Sequence, residues 1–162
     1  PPPSLARWMD PDGLKNAATL DDGMYELARA LEAIPGPKTV FLFGHGSGTF
    51  AGGAVTHGPE YDGAIRRLAE ARAPVFSFDV TRADYHTLEG SLETLAYRTG
   101  GTYAKTHQFA RLPLDWAWRS MGAFYELEVV KPDLPEGRHS IKVRVRDGRR
   151  LQVFARSFYD ES

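Results

Sequence analysis

The sequence predicts an α/β fold: a Rossmann-like parallel sheet with flanking helices, followed by a C-terminal antiparallel β-meander or hairpin. Three observations predict it. Thr39-Val40-Phe41-Leu42-Phe43 is a continuous apolar run between breakers, the pattern of a strand buried on both faces, and Pro74-Val75-Phe76-Ser77-Phe78-Asp79 is again mostly apolar. Around these runs, apolar residues recur at spacings of three and four, the period of a helix face. After residue 121 the pattern turns to alternation, cleanest in Ser140-Ile141-Lys142-Val143-Arg144-Val145-Arg146.

Residues 1–18 carry four prolines, with Trp8 and Met9 among polar residues, and read as an irregular lead-in packed through Trp8. Leu20, Met24, Leu27, Leu31 and Ile34 mark a first helix, with Thr19 or Asp21 as N-cap and Pro35-Gly36-Pro37 as its stop. The first strand leads into Gly44-His45-Gly46-Ser47-Gly48 and a loop through Ala51-Gly52-Gly53. Tyr61, Ile65, Leu68 and Ala69 predict a second helix ending near Arg72, and Leu88, Leu92, Leu95 and Ala96 a third from about Tyr85 to Tyr97. Gly100-Gly101 caps the third, because glycine tolerates the left-handed conformation of helix ends. A short strand at Thr102-Tyr103-Ala104 and a helix from Phe109 to Met121 complete the α/β unit, whose alternating order implies right-handed crossovers. Phe124 to Val130 alternates imperfectly, and Asp147-Gly148 predicts a hairpin returning through Leu151 to Arg156. The expected division is 1–18 lead-in, 19–121 α/β portion, and 122–162 as a β extension packed on the same domain.

Twenty basic against 21 acidic side chains leave a net charge of −1, which lacks the basic face of a nucleic-acid or membrane-surface binder. The absence of cysteine excludes disulfides, thiolate nucleophiles and Cys-based metal sites. No apolar run approaches the roughly 20 residues of a membrane helix. The start Pro1-Pro2-Pro3-Ser4, without Met, suggests a processed product or part of a longer chain.

Pro35-Gly36-Pro37-Lys38 followed by Thr39 to Phe43 and Gly44-His45-Gly46 resembles the buried-strand and Ser-Asp-Gly passage of von Willebrand factor A domains. The likeness is to the A-like domains of acidobacterial proteins. It extends through Pro74 to Asp79, Leu95-Ala96-Tyr97-Arg98-Thr99-Gly100-Gly101-Thr102-Tyr103, Phe124 to Leu127, and the pair Ser140 to Val145 and Val153 to Tyr159. The resemblance covers residues 19–159 and implies the C-terminal portion of an A-like domain whose opening strands have no counterpart here. It also implies a degenerate metal-dependent adhesion site. The family's Asp-x-Ser-x-Ser is absent, Thr19 falls one position from the metal-binding Thr, and His45 stands where the Ser-Asp-Gly carboxylate belongs. Magnesium demands an octahedral oxygen cage, so such a change weakens it badly. By resemblance alone, the chain is expected to be bacterial and extracytoplasmic, in the periplasm or secreted.

Gly46-x-Gly48-x-x-Ala51 fits a loose dinucleotide pattern, but Thr49 to Gly58 does not start a helix, so the anion-binding terminus is lacking. Ser47 lacks the flanking glycines of a hydrolase elbow, having His45 and Thr49 instead. His45, His57 and Asp79 can converge at the carboxyl ends of the strands as a zinc or nucleophile-activating group. Asp84 and His86 read as a helix start with Asp capping, and His107 and His139 as surface loop residues. Trp116 and Trp118, two apart on a helix, point different ways, so one is expected in the core while the other meets the meander or, with Arg119, a partner. Lys142, Arg144, Arg146, Arg149 and Arg150 could attract an acidic partner, but read better as a solvated face that blunts edge pairing. The expected function is a non-enzymatic protein-interaction or structural module without metal or cofactor. Strands from a protein partner, a second copy or the absent N-terminal half would cover a sheet edge at Val40 or its neighbours. The alternative is a ligand binder with Mg²⁺ or another divalent metal in a site rebuilt around His45, Ser47 and Asp79. A small hydrolase using His45 or His57 is the third possibility.

Overall fold

The computed structural model of the chain describes residues 4–107, 111–122, 125–128, 130, 134–146 and 153–161. After a 3-10 helix (Leu5–Trp8), the elements are α1 (Pro11–Asn16), α2 (Leu20–Glu32), β1 (Val40–Gly44), β2 (Thr49–Ala51) and β3 (Ala54–Thr56). Then come α3 (Glu60–Glu70), β4 (Val75–Asp79), α4 (Glu89–Thr99), β5 (Tyr103–Lys105), α5 (Arg111–Met121), β6 (Gly137–Ser140) and β7 (Phe158–Glu161).

The lead-in is thus more ordered than its prolines suggest. Pro11 occupies the first turn of α1, where its missing N–H costs nothing, and Asp10 caps that helix by accepting from the Asp12 N–H. Thr19 heads α2 in a capping box: its hydroxyl accepts the Asp22 N–H, and the Asp22 carboxylate accepts the Thr19 N–H at 2.9 Å. Thr19→Ala is therefore expected to lower stability by about 1 kcal/mol in urea unfolding, whereas Thr19→Ser should recover most of the loss.

β1, β4 and β5 form a parallel sheet in the order β1-β4-β5, with Val40 opposite Val75 and Ser77 opposite Tyr103. Both crossovers step the same way along the sheet, so right-handed connections put α3 and α4 on one face. There they join α2 over Val40, Leu42 and Val75, building a core from Met24, Ala28, Leu31, Ile65, Leu68 and Leu95. Ala117 and Leu114 of α5 lie against Phe76 and Phe78 on the opposite face, where Phe154 also packs. β4 is accordingly buried at all five positions.

β1 corrects an expectation. It is not buried on both faces: Val40 and Leu42 face the helices, whereas Phe43 is 55% exposed and Phe41 37%. An apolar run reports what a strand prefers, and among the described residues the covering layer of α5 and Phe154 lies over β4 and β5. The segment after Gly48 is also no simple loop. β2 and β3 pair antiparallel around Gly52-Gly53, whose φ of +61° and +85° suit a two-residue hairpin turn.

Towards the C-terminus the pairing is displaced from the one expected. β6 pairs β7 antiparallel, with Gly137 opposite Glu161 and Ser140 opposite Phe158, and the Ile141 N–H continues the ladder to the Ser157 carbonyl. Residues 141–145 carry no strand assignment although they alternate, and Ile141, Val143 and Val145 are exposed. Residues 125–128 likewise form no strand, since alternation without a laddered neighbour makes no sheet. Phe109, Phe124, Val129 and the Asp147-Gly148 turn with Arg149, Arg150, Leu151 and Gln152 lie outside the described residues. No helix among the described residues is long and apolar enough to cross a membrane.

Candidate functional site

Parallel strands deliver their last residues to one edge of the sheet, where open α/β folds gather polar groups. Asp79 ends β4 there and is 0% exposed. Its Oδ1 accepts the Thr81 N–H at 2.8 Å, and its Oδ2 lies 2.8 Å from His86 Nε2 and accepts the Tyr103 hydroxyl at 3.1 Å. Its main-chain carbonyl accepts both the N–H and the hydroxyl of Thr106, which anchors the strand end from below. Glu89, the first residue of α4, forms an ion pair of 2.9 Å with Lys105 of β5, and Lys105 also donates to the Asp84 carbonyl. One potential ligand atom each from Asp79, His86 and Glu89 fall within 4.8 Å of one another.

The electrostatics of the cluster are set by hydrogen bonds working against burial. Burial alone would raise the Asp79 pKa, but donors from Thr81, His86 and Tyr103 outweigh it and hold the carboxyl below its ordinary range. Glu89 follows the same logic, with burial overcome by Lys105 and Tyr103. Tyr103 is pushed up, first by burial and then by its hydrogen bonds to the two carboxylates. At neutral pH the cluster therefore holds two carboxylates and a neutral phenol that donates to Asp79.

A second acid–imidazole pair stands near the end of β1. Asp21 is buried, accepts the Gly58 N–H at 3.2 Å and lies 3.5 Å from His57 Nδ1. The His57 ring stacks on Tyr61 at 3.8 Å, and the Tyr61 hydroxyl donates to the Ser91 carbonyl. A cavity of about 10 Å³, about room for one water, opens between Asp21, Ser47, Tyr61 and Ser91.

The residues singled out from sequence are thus distributed rather than assembled. His45 is exposed and has no hydrogen bond or ion pair among the described residues. Ser47 gives its N–H to Ser91 Oγ at 2.8 Å, and His57 turns to Asp21. Only Asp79 enters the polar cluster, and its companions are His86, Glu89, Tyr103 and Lys105. His86 is no part of a helix start, and Asp84 caps nothing: α4 begins four residues later than expected, with Leu88 at its N-cap and no side-chain cap. The connection from Val80 to Leu88 instead folds His86 back onto Asp79. An imidazole seven residues beyond a strand-end carboxylate, inside one crossover connection, was the signal available in sequence. His139 lies in β6, not a loop, with its ring 5.2 Å from that of Tyr159.

Neither tryptophan enters the core. Ala117 occupies the sheet-facing position of α5, so its neighbours Trp116 and Trp118 turn out to either side, Trp118 being 73% exposed; Arg119 is exposed as well. Among the described residues, no strand pairs with the outer edge of β1. It is an edge strand, and because Val40 donates its N–H to Pro74, alternation points the N–H groups of Phe41 and Phe43 outward. Phe43 stacks on Phe78 at 4.9 Å with its other face open.

Comparison with known proteins finds no match for this chain among family models, curated proteins or solved structures.

Proposed function

We propose that this chain is a non-enzymatic protein-interaction module of the von Willebrand factor A-like type, without an intact metal-dependent adhesion site. Its partner is a second copy of itself, added along β1. The observation that carries this reading is the outer edge of β1, which has no strand partner among the described residues, beside the partly exposed rings of Phe41 and Phe43. An antiparallel pairing of two β1 strands about a two-fold axis needs no complementary sequence elsewhere, because the same patch serves both sides. β1 carries no charge, proline or bulge that would block such pairing, and a net charge of −1 leaves little repulsion between copies. The parallel order β1-β4-β5, with helices on both faces, accords with the A-like resemblance. The imidazoles of His57 and His86 each face a carboxylate, with no hydroxyl hydrogen-bonded to either ring among the described residues, which favours a binding role over a nucleophilic one.

Sedimentation at tens of micromolar protein tests this. A species of twice 18.0 kDa is expected, reverting to monomer in Phe43→Lys, which sets a cation on the pairing surface while its thermal melt stays cooperative. A wild-type chain that remains monomeric, or a Phe43→Lys dimer of unchanged affinity, would overturn the second-copy reading.

A further inference from the structure

We propose that Asp79, His86 and Glu89 form a binding site for a single Zn²⁺ ion, tying the end of β4 to the first turn of α4. This goes beyond the interaction reading and does not depend on it: the cluster adjoins the carboxyl end of β1, with Gly44 opposite Asp79, but none of its three ligands belongs to β1 or to its outward edge. Three features carry it. The three ligand atoms lie within 4.8 Å of one another, a span that small side-chain movements close onto one ion. The donor set is one imidazole and two carboxylates, which suits zinc better than the all-oxygen cage of magnesium, and three protein ligands leave a fourth position for water or a ligand group. The ligands are also oriented from behind. Thr81 holds Oδ1 of Asp79, leaving Oδ2 facing His86, while Tyr103 donates to Asp79.

The competing state is the ion-pair network itself. His86 Nε2 and Asp79 Oδ2 are 2.8 Å apart, closer than two ligands on one tetrahedral zinc, so binding replaces their hydrogen bond with two metal bonds. Lys105 is the counter-ion that zinc must displace from Glu89. Zinc brings two positive charges to two carboxylates and leaves Lys105 free to move outward.

Calorimetric titration of the full chain with Zn²⁺ at pH 7.5, in a buffer that does not chelate, tests the proposal. One saturable site is expected, insensitive to millimolar Mg²⁺ and weakened at least tenfold in both His86→Ala and Glu89→Gln. Zinc-edge absorption of the loaded protein should show one imidazole among oxygen ligands at about 2.0–2.1 Å. Melts of the unloaded variants establish that they fold; if His86→Ala does not, Glu89→Gln alone decides. No saturable binding, or an affinity unchanged in either folded variant, would overturn the site and assign the cluster to Lys105 as a structural ion pair.

Discussion

Gly101→Ala is expected to destabilise the protein by about 3 kcal/mol or more, a large share of the roughly 5–15 kcal/mol that holds a domain folded. A Cβ at this position would sit 2.5 Å from the carbonyl carbon of Val75 and closer still to its oxygen. Val75 cannot give way. Its side chain is fully buried in the central strand, and its N–H is bound at 2.9 Å by the Thr99 hydroxyl, which in turn donates to the Leu95 carbonyl. Gly100, at φ +93°, makes the left-handed turn that ends α4, so Gly101 is delivered against β4 with no slack on either side. Gly23 is the control: it lies within α2 with no atom within 4 Å of a built Cβ, and Gly23→Ala should gain up to about 1 kcal/mol from helix propensity. Urea unfolding of both variants measures the contrast. A Gly101→Ala chain within 1 kcal/mol of wild type would show that β4 and β5 can separate more freely than their backbones suggest.

Removing the Asp79 carboxylate is the second large effect. Asp79→Ala leaves the Thr81 N–H, the Tyr103 hydroxyl and His86 without their common acceptor in a buried position, and a loss of about 3 kcal/mol is expected. Asp79→Asn, which keeps one carbonyl oxygen, should lose less. The same carboxylate makes stability depend on acid. Its pKa is lower in the folded chain than in the unfolded one, so the unfolded chain takes up the proton first. The stabilisation is complete above the unfolded value of about 4 and is lost as the pH falls from there through the folded pKa. Glu89 adds a contribution of the same sign. Unfolding free energy measured between pH 5 and 3 should therefore fall more steeply in wild type than in Asp79→Ala. Equal slopes would mean that the cluster is held by packing and not by its charge.

Much of the architecture was legible locally. The three-and-four spacing of Leu20, Met24, Leu27 and Leu31 marked α2, Thr19 and Gly100 behaved as caps, and the run from Val75 to Asp79 proved to be the strand buried on both faces. These are properties of one segment and its own backbone, and burial enforces them wherever the segment is placed. The register of the C-terminal hairpin was less legible. Alternation continues from Ser140 to Arg146 without a break, so nothing in the pattern itself says where a ladder stops.

The site divides in the same way. Asp79 could be named from its place at the end of a buried strand. His86, Glu89, Tyr103 and Lys105 could not be joined to it, because they come from a connection, a helix and a strand that meet only once the crossovers are folded. His45 and Ser47 had the right position along the chain, but neither side chain has a hydrogen-bond partner among the described residues.

The sequence by itself determined the α/β alternation, the helix limits near Thr19 and at Gly100, and the places of the strands at Val40 and Val75. Each depends on hydrophobic period or on backbone chemistry within a few residues. Only the tertiary structure decided that Phe41 and Phe43 stay exposed on β1, which the sequence placed between two covering layers, and that Asp79 is partnered by His86. Both outcomes depend on which distant segments reach a given surface, and no local pattern of residues encodes the presence or absence of a neighbour.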